Sequence, residues 1–137
     1  MAIFYRVETN ESCINDRSGP YRQTKQGISL ATLAGLYDEF QPQLHPLPQN
    51  DAGLASYWEE TCIYERSLHL FGFSSISQYE NWFMYANRRI AMVGHGVVAV
   101  YEVADESLIL GQFQAIATKS SMYHLYDLCP DTLEVLL

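Results

Sequence analysis

One arginine stands inside the first apolar run of the chain, Ala2–Glu8 (AIFYRVE). Side-chain alternation puts Arg6 either on the solvent face of a strand or into a cleft. In a cleft its planar fork of N–H donors would clamp a phosphate or a carboxylate. The other reactive types are scattered. His69 and His124 have no spacing to each other or to a carboxylate that would signal a metal, His95 between two glycines reads as turn chemistry, and His45 before Pro46 is a candidate base on a loop with no partner named by spacing. Cys13, Cys62 and Cys129 are widely separated, odd in number and without a CxxC pair, so reduced thiols and no metal site are expected. Cys62 has no basic neighbour in sequence and reads as a core thiol. Ser75 with Gln78 three residues on is a capping-box pattern, which directs the hydroxyl to a helix backbone. None of these groups names a reaction.

Charge says more. The chain has 137 residues with sixteen Asp and Glu against eight Lys and Arg, a net charge of −8. Residues 1–25 are slightly basic, with Arg6, Arg17, Arg22 and Lys25 against Glu8, Glu11 and Asp16. From Gln26 to Glu65 there is no base, while Asp38, Glu39, Asp51, Glu59, Glu60 and Glu65 are acidic. After Arg89 the only base is Lys119. Nucleic acids need phosphates neutralised by a basic stripe, so they are excluded as partners on this reading. A partner with a basic face fits, because opposite potentials steer encounter.

Aromatic residues point the same way. Tyr57, Trp58 and Tyr64 lie in the base-free acidic stretch, and such rings supply rigid contact area with a polar tip. Asp38, Glu39, Tyr57, Trp58, Glu59, Glu60, Tyr64 and Glu65 are therefore the expected contact surface for a basic protein, the alternative being that most of the aromatics are core and the glutamates a solvated helix face. No apolar segment approaches the roughly 20 residues that span a bilayer. Residues 1–20 lack a basic start followed by an apolar run. A cytoplasmic protein without membrane contact is expected.

The elements that must position these groups are few. Ala2–Glu8 reads as a strand and residues 9–22 as a loop. Ser29–Phe40 has helical spacing with Ser29 as cap, and Gln41–Asp51 is interrupted by Pro42, Pro46 and Pro48. A short helix is expected over Leu54–Tyr64, and another after Ser75 with Tyr79, Trp82 and Phe83 on its buried face. Val97–Val103 is the clearest strand, paired as a hairpin with Leu108–Ala117. The sum, over residues 1–137, is a single compact α+β domain. It has an antiparallel sheet including the N-terminal strand and a late hairpin, with two to three helices.

Several short motifs occur in a telling order: Tyr5-Arg6-Val7-Glu8, Gly19-Pro20-Tyr21, His45-Pro46-x-Pro48 with Asp51, Gly72-Phe73-x-Ser75 with Gln78, Trp82-Phe83, Val100-Tyr101-Glu102-Val103 and Gln114. In this order they resemble small proteins of bacteriophages and prophages, a likeness that covers most of residues 3–116. It implies a mobile-element origin and no particular activity. Small acidic prophage proteins that block a host protein, defence nucleases included, set the expected role: an anti-CRISPR-like binder in the host cytoplasm, needing no cofactor.

A second resemblance is to the ADP-ribosyltransferase fold, where an arginine on the first strand holds NAD, a serine follows a middle strand and a late-strand glutamate is catalytic. Arg6, Ser74 or Ser75, and Gln112 to Gln114 fall in matching order. The resemblance implies NAD held by Arg6, Ser75 and Gln114. Where it wants a carboxylate, this chain has Gln112 and Gln114. A neutral amide cannot stabilise the cationic sugar centre formed as nicotinamide leaves, so binding is implied more strongly than transfer.

Overall fold

A computed structural model describes residues 1–22, 29–36 and 45–137. Among these residues seven strands form two antiparallel sheets. In the first, β1 (Ala2–Thr9) pairs with β3 (Gly96–Val103), β3 with β6 (Tyr123–Leu128), and β6 with the two-residue β7 (Val135–Leu136). In the second, β5 (Ala115–Thr118) lies between β2 (His69–Gly72) and β4 (Leu108–Leu110). Five short helices are described: α1 (Leu30–Leu33), α2 (Ala55–Glu60), α3 (Ile63–Arg66), α4 (Ile76–Trp82) and α5 (Ala86–Ala91). The α+β class and the N-terminal strand are as expected; five helices stand where two to three were expected, because each is only one or two turns long.

β3 explains the architecture. Its run Val97-Val98-Ala99-Val100-Tyr101 is buried without interruption, because both faces are covered. Val98 and Val100 face a core built with Val7, Leu30, Phe73, Tyr79, Phe83 and Met92. Val97, Ala99, Tyr101 and Val103 face Phe4 and the second sheet's Ala115 and Ala117. The first sheet is thus a central layer, with helices on one side and the second sheet on the other.

Three further expectations need correction. β3 does not form a hairpin with the 108–117 segment: it lies between β1 and β6, and the late hairpin is β4–β5. Both hydrogen-bonding edges of β3 are taken by β1 and β6, and the 3-10 turn at Asp105–Ser107 carries the chain into the other sheet. The single helix over 54–64 is two, parted at Thr61, whose extended backbone ends α2. Cys62 is exposed, since it occupies that break.

Besides their face-to-face packing, one residue pair among the described residues joins the two sheets by backbone hydrogen bonds. Tyr5 and Phe73 exchange backbone hydrogen bonds of 2.8 and 2.7 Å, and beyond them β1 and β2 diverge. Gly72 makes the approach feasible: a Cβ there would overlap the Tyr5 carbonyl oxygen and come within 2.7 Å of the Phe4 ring. The divergence opens a cleft.

Candidate functional site

The cleft holds about 610 Å³, within the range of small-molecule sites. Its lining alternates charge with aromatic surface. Among the described residues, Arg6, Arg17, Arg22 and Lys119 line it, and Glu8 is the one acidic residue that does. Tyr21, Phe71, Phe73, Trp82, Phe83 and Tyr101 supply the rings. A chain of net charge −8 thus encloses a basic cleft.

Arg6 and Arg17 have different duties. Arg17 is fully engaged: Nη1 and Nη2 fork onto Asp127 at 2.8 and 2.9 Å, and Nε donates to the Glu11 carbonyl at 2.8 Å. The hydrogen bond to Asp127 raises its already high pKa against the opposing effect of burial. Burial pushes the Asp127 carboxyl up, but hydrogen bonds from Arg17 and His124 outweigh it and hold the group below its ordinary value. Arg6 is engaged in part. Its Nη1 donates to Glu8 at 2.8 Å, while its buried Nε has no hydrogen-bond partner among the described residues. A Cβ on Gly19 would come within 2.7 Å of Arg6 Nη2, so glycine there lets the loop close on the guanidinium.

Glu8, only 2% exposed, sits between these cations and receives the Tyr101 hydroxyl, which lies within 2.9 Å of both carboxylate oxygens. Burial first and the Glu8 charge second push the Tyr101 pKa well above its usual value. The phenol therefore acts as a neutral donor that fixes Glu8.

The wall carrying Gln114 is held by motif residues. Asp51 is fully buried and accepts the backbone N–H groups of Gly53, Gln112 and Phe113 at 3.2, 2.6 and 3.0 Å. Gln78 donates to the carbonyls of Gly111 and Gln112. Gln114 donates to the Pro46 carbonyl at 2.8 Å. His45 packs edge-on against Trp82, whose indole N–H donates to Tyr21. The His-Pro, Asp, Gln and Trp motif residues are a brace for the β4–β5 loop and the cleft rim.

Of the sequence-expected ligand residues, Arg6 and Gln114 line this one cleft. Ser75 does not: its hydroxyl accepts from Gln78 N–H at 3.2 Å and caps α4. Asp38 and Glu39 lie outside the described residues. Glu59, Glu60, Tyr64 and Glu65 are exposed on α2 and α3, Tyr64 at 76% and its neighbour Ile63 at 84%. Tyr57 and Trp58 turn inward. The His69 Nδ1 faces the Glu65 carbonyl, so its Nε2 accepts the Tyr57 hydroxyl at 2.7 Å, and Trp58 packs on Phe71 beneath Arg66. Arg17, Arg22, Glu8 and Lys119 were missed as site residues. The one sequence signal for them is the slightly basic stretch 1–25.

No group of three or more metal-ligating side chains occurs among the described residues, and none of their helices is long and apolar enough to cross a membrane. Fold and cleft together define a small α+β protein whose two sheets enclose a basic, aromatic-walled cavity. The family model for the bacteriophage T4 Y00F protein matches residues 1–127, and the chain belongs to that family. No curated protein and no solved structure matches it.

Proposed function

We propose that this phage-family protein binds an anionic, ring-bearing ligand of the nicotinamide dinucleotide type in the cleft between its sheets. The observation that carries this reading is the gathering of four of the described Lys and Arg residues on one cavity. Arg6 is the anchor. Its guanidinium has a donor to offer, and a pyrophosphate supplies charge-assisted acceptors in the geometry of that fork. Tyr21 and Phe71, the exposed rings of the lining, offer surface for a base or a nicotinamide ring. The ADP-ribosyltransferase resemblance agrees on Arg6 and Gln114 and is weaker at Ser75, which caps a helix.

The chemistry favours holding the dinucleotide over cleaving it. Gln114 is neutral, and Glu8, the one carboxylate in the lining among the described residues, is already taken up by Tyr101 and Arg6. Neither is free to stabilise a cationic sugar centre. A thermal-shift titration with NAD tests the reading, since a ligand that binds only the folded state raises the melting temperature by mass action. Arg6→Ala is expected to abolish the shift.

A second reading concerns the outer surface, and the exposure of Ile63 and Tyr64 among Glu59, Glu60 and Glu65 supports it. We propose that this α2–α3 ridge docks on a basic face of a host protein, of the defence or nucleic-acid-binding kind, in the host cytoplasm. Such binding weakens as salt rises, because screening shortens to about 8 Å at physiological ionic strength. Pull-downs at two ionic strengths with Tyr64→Ala and Glu59→Gln/Glu60→Gln variants test it. A complex insensitive to both salt and these substitutions would rule the ridge out.

A further inference from the structure

The four cations of the cleft differ in how far the protein already neutralises them. Arg17 is matched by Asp127, and Arg6 leans on Glu8. Arg22 and Lys119 line the same cleft, and their side chains make no hydrogen bond or ion pair with the described residues. Two positive heads therefore await counter-charge, and they stand apart. Arg22 follows Gly19, Pro20 and Tyr21 on the loop that closes over Arg6, and its N–H turns back to the Gly19 carbonyl. Lys119 lies at the other end of β2, one step beyond the His69–Thr118 pair, with its N–H on the Leu68 carbonyl. From Phe73 at the closed end to His69 is four strand residues, about 13 Å at 3.3 Å per residue.

A single pyrophosphate placed at Arg6 and Arg22 leaves Lys119 without an anion. The surrounding sequence makes that lysine conspicuous: it is the only base after Arg89, in a stretch with Glu102, Asp105, Glu106, Asp127, Asp131 and Glu134. The field of those carboxylates repels anions generally, so one cation at the cleft's far end admits an anion there and nowhere nearby. An ammonium on a flexible four-carbon stem suits a terminal phosphate monoester, which needs point charge more than a fork.

Resting on the nucleotide reading of the cleft, we infer that the preferred ligand carries a second, separate phosphate: a dinucleotide phosphorylated on a ribose, NADP over NAD. Lys119 is the specificity residue that reads this phosphate, and Arg6 anchors the pyrophosphate common to both.

Calorimetric titration of NAD and of NADP into the wild-type chain, Lys119→Ala and Arg6→Ala tests this. Wild type is expected to bind NADP tighter by about fivefold, the scale of one near-surface charge pair. Lys119→Ala is expected to weaken NADP more than NAD and so erase that preference, and Arg6→Ala to weaken both ligands alike. Lys119 is exposed, so an unchanged melting curve is expected for its variant. Equal wild-type affinities, or a preference that survives Lys119→Ala, overturn the role of Lys119 and leave the nucleotide reading standing. Failure of both dinucleotides to bind wild type overturns the two together.

Discussion

Arg17 and Asp127, 110 residues apart in sequence, close a two-pronged ion pair that ties the loop after β1 to strand β6. Arg17 is thereby a strut and Arg6 the arm. The strut holds the loop that brings Gly19 and Tyr21 against the cleft, and it keeps a second guanidinium from competing for the ligand.

The pair predicts an acid-sensitive fold. Asp127 has its carboxyl below the unfolded value, so its stabilisation is fully present above a pH of about 4 and is lost as pH falls through the lower folded value. Asp127→Asn at pH 7 is expected to cost about 3 kcal/mol, because it leaves the buried Arg17 with only the more distant Glu8 carboxylate, at 3.6 Å, as counter-charge. Denaturant melts from pH 7 down to pH 2 check this: the gap between the two proteins should narrow with acid. A gap independent of pH would show that the ion pair is not its source.

Gly72→Ala is expected to destabilise by about 2–4 kcal/mol, since the methyl group meets the Tyr5 carbonyl oxygen, which is backbone and cannot step aside. The damage falls on the Tyr5–Phe73 junction, so loss of cleft binding should accompany the lower melting temperature. Gly94→Ala, at a positive φ of 84° but with no neighbour within 4 Å, is expected to cost about 1 kcal/mol through backbone strain alone.

Asp51→Asn removes the charge that gathers three backbone N–H groups at the β4–β5 loop. A loss of about 2–3 kcal/mol is expected, as for other buried charged hydrogen-bond acceptors. Hydrogen exchange should then quicken at Gln112 and Phe113 before it quickens in β3. Uniform quickening across the molecule would mean that Asp51 holds no local structure of its own.

Much of this was legible in the sequence. The apolar runs of β1 and β3 and the Ser75–Gln78 cap of α4 follow from composition and short-range spacing, which are local physics. Pairing was not legible, because a strand such as β3, buried on both faces, has no alternation to say which neighbours it takes. The cleft was hidden for a related reason. Its cations come from positions 6, 17, 22 and 119, and a window of charge along the chain cannot see that they converge. The count of carboxylates pointed to the outer ridge, whereas the folding pattern gives the basic residues their common cavity. Tyr57 and Trp58 read as surface from their acidic neighbours, yet each finds a partner in β2, His69 and Phe71.

The most direct test is an NMR titration of NAD into the isotope-labelled chain and its Arg6→Ala variant. Saturable shifts confined to Arg6, the Gly19–Tyr21 loop, β2 and Gln114 are the predicted result, with at least about a tenfold loss of affinity in the variant, as removal of a charged hydrogen bond entails. Shifts absent at millimolar NAD, or equal in the two proteins, would contradict a ligand-binding cleft anchored on Arg6.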